Sequence, residues 1–112
     1  MIKVHQLIKE DRYSTGLSCN EAILKWQRGG YELVAEVDCE FLETAWQHTN
    51  HINAPWWQNE NVTLVKKSRS SQVGDIFQFD KQFYMACRAG FEPLNMTVEN
   101  NVSDPEMMLK SA

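Results

Sequence analysis

A chain of 112 residues with a formal net charge of −4 is long enough for one domain with its own core and too short for two. It has no run of eighteen apolar residues, which excludes a membrane-spanning helix. Its acidic balance weighs against nucleic-acid binding by charge alone, because phosphate neutralisation supplies most of that affinity.

The charge is uneven. Residues 1–61 hold five basic and nine acidic side chains, residues 62–94 five and three, and residues 95–112 one and three, so a weakly basic segment sits inside an acidic chain. The start, Met1-Ile2-Lys3-Val4-His5-Gln6-Leu7, alternates and lacks the basic region and long apolar block of a secretory signal, so the expected location is the cytoplasm. Cys19, Cys39 and Cys87 form no CxxC pair and are expected as free, reduced, mostly buried thiols.

Ile2 to Leu7 carries the period-two pattern of a half-buried strand. Glu10 to Gly16 is polar and reads as a loop. Ser18-Cys19-Asn20-Glu21 matches a capping box, in which the serine hydroxyl and the glutamate carboxylate each take a free backbone amide. Ala22, Ile23 and Trp26 continue at helical spacing, and Gly29-Gly30 ends the helix. Tyr31 to Val37 alternates again, with Tyr31, Leu33, Ala35 and Val37 expected on one face. Asp38 is placed to cap a second helix over 39–48, whose stripe is Phe41, Leu42, Ala45 and Trp46.

Asn50 to Asn61 has no periodicity but holds Pro55 and the adjacent Trp56 and Trp57, and reads as a loop with a large apolar load. Val62 to Val65 is a short strand, and Lys66 to Ser71 a basic, serine-rich turn. Asp75–Phe79 and Gln82–Cys87 form a hairpin through Asp80-Lys81, and Ala89–Leu94 makes a turn and closing strand ended by Pro93. From Asn95 the pattern dissolves, so the expected domain is 1–94, followed by a flexible tail over 95–112. The fold class is α+β: a small antiparallel or mixed sheet of about five strands with two helices on one face, in the order β-α-β-α-β-β-β. The expected core is Val4, Leu7, Ile23, Trp26, Leu33, Val37, Phe41, Leu42, Ala45, Ile76 and Phe83 or Tyr84.

Arg69-Ser70-Ser71-Gln72-Val73-Gly74-Asp75-Ile76-Phe77, then Phe83-Tyr84-Met85-Ala86-Cys87 and Gly90-Phe91-Glu92-Pro93-Leu94, resembles the YodL-like domains of mobile genetic elements, with the pattern R-S-x-S-V-G-D-V, a hairpin, an aromatic strand and G-F-E. The resemblance covers about residues 44–94, and the loop from Thr49 through Asn59 belongs to it. Gln72 stands where the pattern has serine. No catalytic residues come with this family. The resemblance implies a phage or plasmid accessory protein in a bacterial host. Read physically, Gly74 suits a positive φ, Asp75 takes nearby amides, and Arg69 either pairs with Asp75 or faces a ligand.

Candidate chemistry is sparse. His48 and His51 flank a helix end, with no second pair to complete a zinc site. Cys87 lies in an apolar strand. Cys19 lies at a helix N-terminus, which lowers a thiol pKa, but neither cysteine has a base beside it in the sequence. No phosphate-binding glycine loop is present. The expectation is therefore a non-enzymatic protein without metal or cofactor. Its candidate binding residues are Trp56, Trp57, His51, Lys66, Lys67 and Arg69, because tryptophan is the residue most enriched at binding hot spots. Trp57 ranks first. The expected partner is a host protein complex, inhibited as a defence against the element. The alternative is a nucleic-acid-binding module using the turn 66–69 with the aromatics Phe77, Phe79, Phe83 and Tyr84.

Overall fold

The computed structural model describes residues 1–8, 17–52 and 54–96. The expected loop at Glu10–Gly16 and nearly all of the expected tail, residues 97–112, lie outside these. Six strands and two α-helices follow one another as β1 (Ile2–Leu7), α1 (Cys19–Gln27), β2 (Tyr31–Val37), α2 (Leu42–His48), β3 (Val62–Leu64), β4 (Ile76–Phe79), β5 (Gln82–Cys87) and β6 (Gly90–Leu94). A single 3-10 turn, Trp56–Gln58, lies between α2 and β3. The strands form one sheet in the order β3-β2-β1-β4-β5-β6, and every neighbouring pair is antiparallel. The α+β class holds, with six strands.

The local signals at α1 act as read. Ser18 accepts from the Glu21 amide, and the Glu21 carboxylate accepts from the Ser18 amide. At the other end Gly29 takes φ +82, the Gly30 amide donates to the Lys25 carbonyl and the Gly29 amide to that of Trp26, a Schellman closure. The β4–β5 hairpin turns through Asp80 at φ +58, a left-handed position that aspartate tolerates.

The placement of the helices differs from expectation. Phe77 and Phe83 face opposite sides of the sheet, since Phe83 pairs with Gln78, the neighbour of Phe77. Trp26 of α1 meets Phe83 edge-on at 5.2 Å, and Trp46 of α2 packs at a tilt against Phe77 at 6.1 Å. The helices therefore cover opposite faces, and the protein has two core clusters. One gathers Ile2, Val4, Val34, Val37, Ala45, Trp56 and Phe77, and the other Ala22, Ile76, Phe83, Met85, Leu94 and Met96. Burial of Met96 carries the folded body past the expected boundary at Leu94.

This arrangement explains β1. It is an interior strand with both faces covered beyond Lys3, so its polar residues His5 and Gln6 are buried. The β1–β2 register slips by one between Val4 and His5, because β2 inserts Val34 as an extra residue. Ala35 and Val37 then face the α2 side with Val4 and Ile2, while Leu33 and Tyr31 pair with His5 and Leu7 on the α1 side. The four residues expected on one face of β2 are thus split by the bulge.

The second helix starts later than expected. The Asp38 amide stays in the sheet, donating to the Asn61 carbonyl, so Asp38 does not cap. Phe41 becomes the N-cap residue, without a side-chain cap bond, and is 68 % exposed. Phe41 therefore leaves the core list. Removing it should change stability by about 0.5 kcal/mol or less, whereas Phe77→Ala, from a fully buried site, should cost about 3–5 kcal/mol. Urea titration of the two variants measures the contrast, and equal losses would contradict the assigned faces.

His5 adds a pH dependence. Its Nε2–H donates to Gln78 Oε1 at 3.0 Å, and Gln78 is oriented by its own amide donating to the Asp80 carbonyl. The ring meets Trp26 edge-on at 4.7 Å. Burial pushes the imidazole pKa down to about 4 from 6.5, with the Gln78 bond opposing and Lys3 adding to the shift. The fold favours the neutral ring, so the stability from His5 is complete above pH 6.5 and is lost as the pH falls toward 4, by about 3 kcal/mol. Unfolding curves between pH 7 and 5 should show this decline in the wild type and a flatter response in His5→Gln. Parallel declines would refute it.

Candidate functional site

The site is built on a buried ion pair. Asp75, fully buried at the start of β4, accepts from both terminal nitrogens of Arg69 at 2.9 and 2.8 Å, from the Leu7 amide at 3.0 Å and from the Gln72 amide at 2.8 Å. Arg69 also donates to the carbonyls of Leu7 and Ser70. Burial pushes the Asp75 carboxyl upward, and Arg69 with the two amides pulls against it. Gly74, at φ +98, completes the turn. A Cβ there would come within 3.1 Å of Leu7, and the Gly74 carbonyl accepts from the Tyr31 hydroxyl at 2.7 Å. The motif Arg69…Gly74-Asp75 thus fastens the loop 66–75 to β1, and Arg69 faces Asp75 instead of a ligand.

Trp56 fastens the second loop to the first. Its indole N–H is shared between the carbonyls of Ser68 and Arg69, at 3.0 and 2.9 Å. Gln6 donates to the Arg69 carbonyl and accepts from Ser68 Oγ. Thr49 uses its hydroxyl proton on the Ala45 carbonyl, so Ser71 Oγ donates to Thr49 Oγ1, at 2.6 Å. The His51 amide donates to Ser70 Oγ, and His51 Nδ1 accepts from the Trp56 amide, which leaves the proton of the neutral ring on Nε2. Among the described residues no buried side-chain nitrogen or oxygen lacks a partner.

On this scaffold lies a small surface cluster. Trp57 is half-buried and meets Trp56 and His51 edge-on at 5.3 and 5.4 Å, with Lys67 Nζ 5.6 Å from its ring centre. Ile52, beside His51, is 72 % exposed. Of the six residues singled out from sequence, Trp57, His51 and Lys67 come together at the surface. Trp56 is fully buried, Arg69 is held by Asp75, and Lys66 lies 2.7 Å from Glu32. The neighbouring tryptophans differ in burial: Trp56 is fully buried, and Trp57 packs against the same core cluster but stays partly exposed. The aromatics of the alternative reading separate: Phe77 and Phe83 are buried on opposite faces, Tyr84 is half-buried, and Phe79 is exposed.

A second surface is marked in the sequence by the acidic residues Glu36, Glu40 and Glu43, and the structure adds an aromatic and a cleft to it. Exposed Phe41 stands between Glu40 and Glu43, and Glu43 also lines an apolar cleft of about 250 Å³ with Trp46, Val73, Arg88 and Phe91. The exposure of Phe41 had one signal, its adjacency to Leu42, since a late helix start turns one of them outward.

Cys19 departs from its expected low pKa. Its thiol donates to Glu92 at 3.1 Å, and that bond, followed by burial, pushes its pKa up to about 11. Burial likewise raises Cys87 and Cys39, both half-buried. His48 Nδ1 donates to Asn61 Oδ1, and the His48 carbonyl accepts from Asn59, so His48 braces the end of α2. Among the described residues no three His, Cys, Asp or Glu side chains gather as a metal site, and no helix is long and apolar enough to cross a membrane.

The chain matches no protein-family model, no curated protein and no solved structure in comparisons with each.

Asp75→Ala should strand the Arg69 charge and cost about 3–5 kcal/mol. It should also weaken the near-ultraviolet tryptophan dichroism, because Trp56 hangs from the Arg69 carbonyl. Denaturant titration with dichroism checks both, and a loss under about 1 kcal/mol would show that the clamp is dispensable.

Proposed function

We propose that this chain is a non-enzymatic binding protein that engages a partner protein through Trp57, His51 and Lys67, with Ile52 at the rim. One observation carries the reading: a partly exposed indole is held in place by two aromatic neighbours on a scaffold whose buried side-chain polar atoms, among the described residues, all have partners. A rigid aromatic loses little conformational entropy when it fills a pocket on a partner, which is why tryptophan dominates hot spots. The cationic Lys67 beside the ring favours an acidic rim on the partner. The further step, an accessory factor of a phage or plasmid that binds a host complex and inhibits its defence role, rests on the resemblance at residues 69–94.

The nucleic-acid reading has weaker support. Of the three cations in the turn 66–69, Arg69 is spent on Asp75 and Lys66 on Glu32, leaving Lys67 to meet phosphate. One phosphate contact gives a shallow salt dependence and little affinity.

The test compares capture of bacterial lysate proteins on the immobilised wild type, Trp57→Ala and Phe41→Ala, each first shown to be folded. Trp57→Ala should lose about 2–4 kcal/mol of binding, roughly 30- to 900-fold in affinity, while Phe41→Ala retains it. Equal capture by Trp57→Ala and the wild type overturns the assignment. Loss in Phe41→Ala alone moves the site to the acidic surface beside α2.

A further inference from the structure

The cleft of about 250 Å³ beside α2 has apolar walls in Trp46 and Phe91 and takes one charged residue from each of two elements, Glu43 from α2 and Arg88 from the turn between β5 and β6. Val73 at its edge is 46 % exposed, and it is the residue of the turn 72–75 that the Asp75 clamp leaves unused. Among the described residues neither Glu43 nor Arg88 forms a salt bridge. An apolar groove with two unpaired charges of opposite sign fits a segment that has an apolar middle, an acid at one end and a base at the other.

The chain carries such a segment beyond the described residues. Residues 97–112 hold a single run of three apolar side chains, Met107-Met108-Leu109, with Glu106 before it and Lys110 after it. Methionine is unbranched and fills irregular apolar spaces. Reach does not limit the contact. Met96, buried in the α1-side cluster, follows the edge strand β6, so no further strand separates it from the α2 face. The way back along β6 to Phe91 is about 17 Å, and rounding the sheet edge adds about 10 Å. The stretch 97–106 spans up to about 33 Å when extended.

We propose that Met107-Met108-Leu109 docks in this cleft of its own chain, with Glu106 toward Arg88 and Lys110 toward Glu43. A segment tethered this closely meets the cleft at an effective concentration in the millimolar range, so a contact too weak to hold a free peptide still fills it. The docked segment closes the cleft beside the acidic surface of α2. Trp57 does not line that cleft, so the inference stands apart from the binding reading above.

Nuclear magnetic resonance of the full chain, labelled at the methionine methyls, tests it. Met107 or Met108 should show an upfield methyl signal and Overhauser contacts to the rings of Trp46 and Phe91. Arg88→Glu and Glu106→Arg should each lower the ratio of docked to free segment by about 2- to 10-fold, because each sets like charges together. The double variant should restore the wild-type spectrum. Met85, buried in the α1-side cluster, reports the fold in every variant. Trp57→Ala should leave the Met107 and Met108 signals unchanged. Wild-type methyls without ring contacts would leave the cleft to a separate partner and overturn the proposal. So would single variants that keep the contacts, or a double variant that fails to recover them. Contacts that appear only as the concentration rises from about 50 µM to about 1 mM would also overturn it, because a second copy would then fill the cleft.

Discussion

The carboxylate of Asp75 is the group on which the rest of the structure is hung. It is fully buried yet takes four donors, two from one guanidinium and two from the backbone. A buried charge is tolerated only when its hydrogen-bonding capacity is filled, and here the ligands come from separate parts of the chain: β1 through Leu7, the loop through Arg69 and Gln72. The pair gives up solvation and in return fixes one geometry. The Arg69 carbonyl, held by that geometry, accepts from both Gln6 and Trp56, so the position of a core indole depends on an ion pair.

Much of the local structure was legible because local rules decide it. The capping box at Ser18, the stop at Gly29-Gly30 and the turn at Asp80 each involve groups only a few residues apart. Layering was not legible. A strand with both faces covered reads as alternating when its buried polar residues have partners, and His5 and Gln6 find theirs in Gln78, Arg69 and Ser68, as many as 73 residues away. The inserted Val34 moved half of β2 to the other face, and nothing in Tyr31–Val37 marks it. Phe41 was misplaced by three residues of helix start, settled by the Asp38 amide staying in the sheet. The candidate site was legible as a region and not in its roles: which tryptophan goes inward depends on the carbonyls of Ser68 and Arg69, contributed by another loop.

This division has a functional side. The residues that look most like ligand binders in a list of types, an arginine, a tryptophan and a lysine, are largely occupied by the protein itself. What remains unclaimed among these candidates is smaller: an indole with a histidine and a lysine at its edges. On the proposed reading, an acidic protein that presents an indole on a braced loop is suited to shape recognition more than to charge recognition.

The strand order carries a consequence for how the chain assembles. The β4–β5–β6 meander closes through short turns, and the β2–β3 pair spans a single excursion, but β1 alone bridges them, with Ile2 set against Phe79. The first strand in the sequence must therefore wait for one of the later ones, and the entropy of that closure is the largest in the fold. On a ribosome, β1, β2 and β3 all emerge before β4, so the β1 side of that three-stranded unit stays open until β4 has been synthesised. The seam in the middle of the finished sheet thus waits for the second half of the chain, and β5 and β6 extend the sheet from β4 after it.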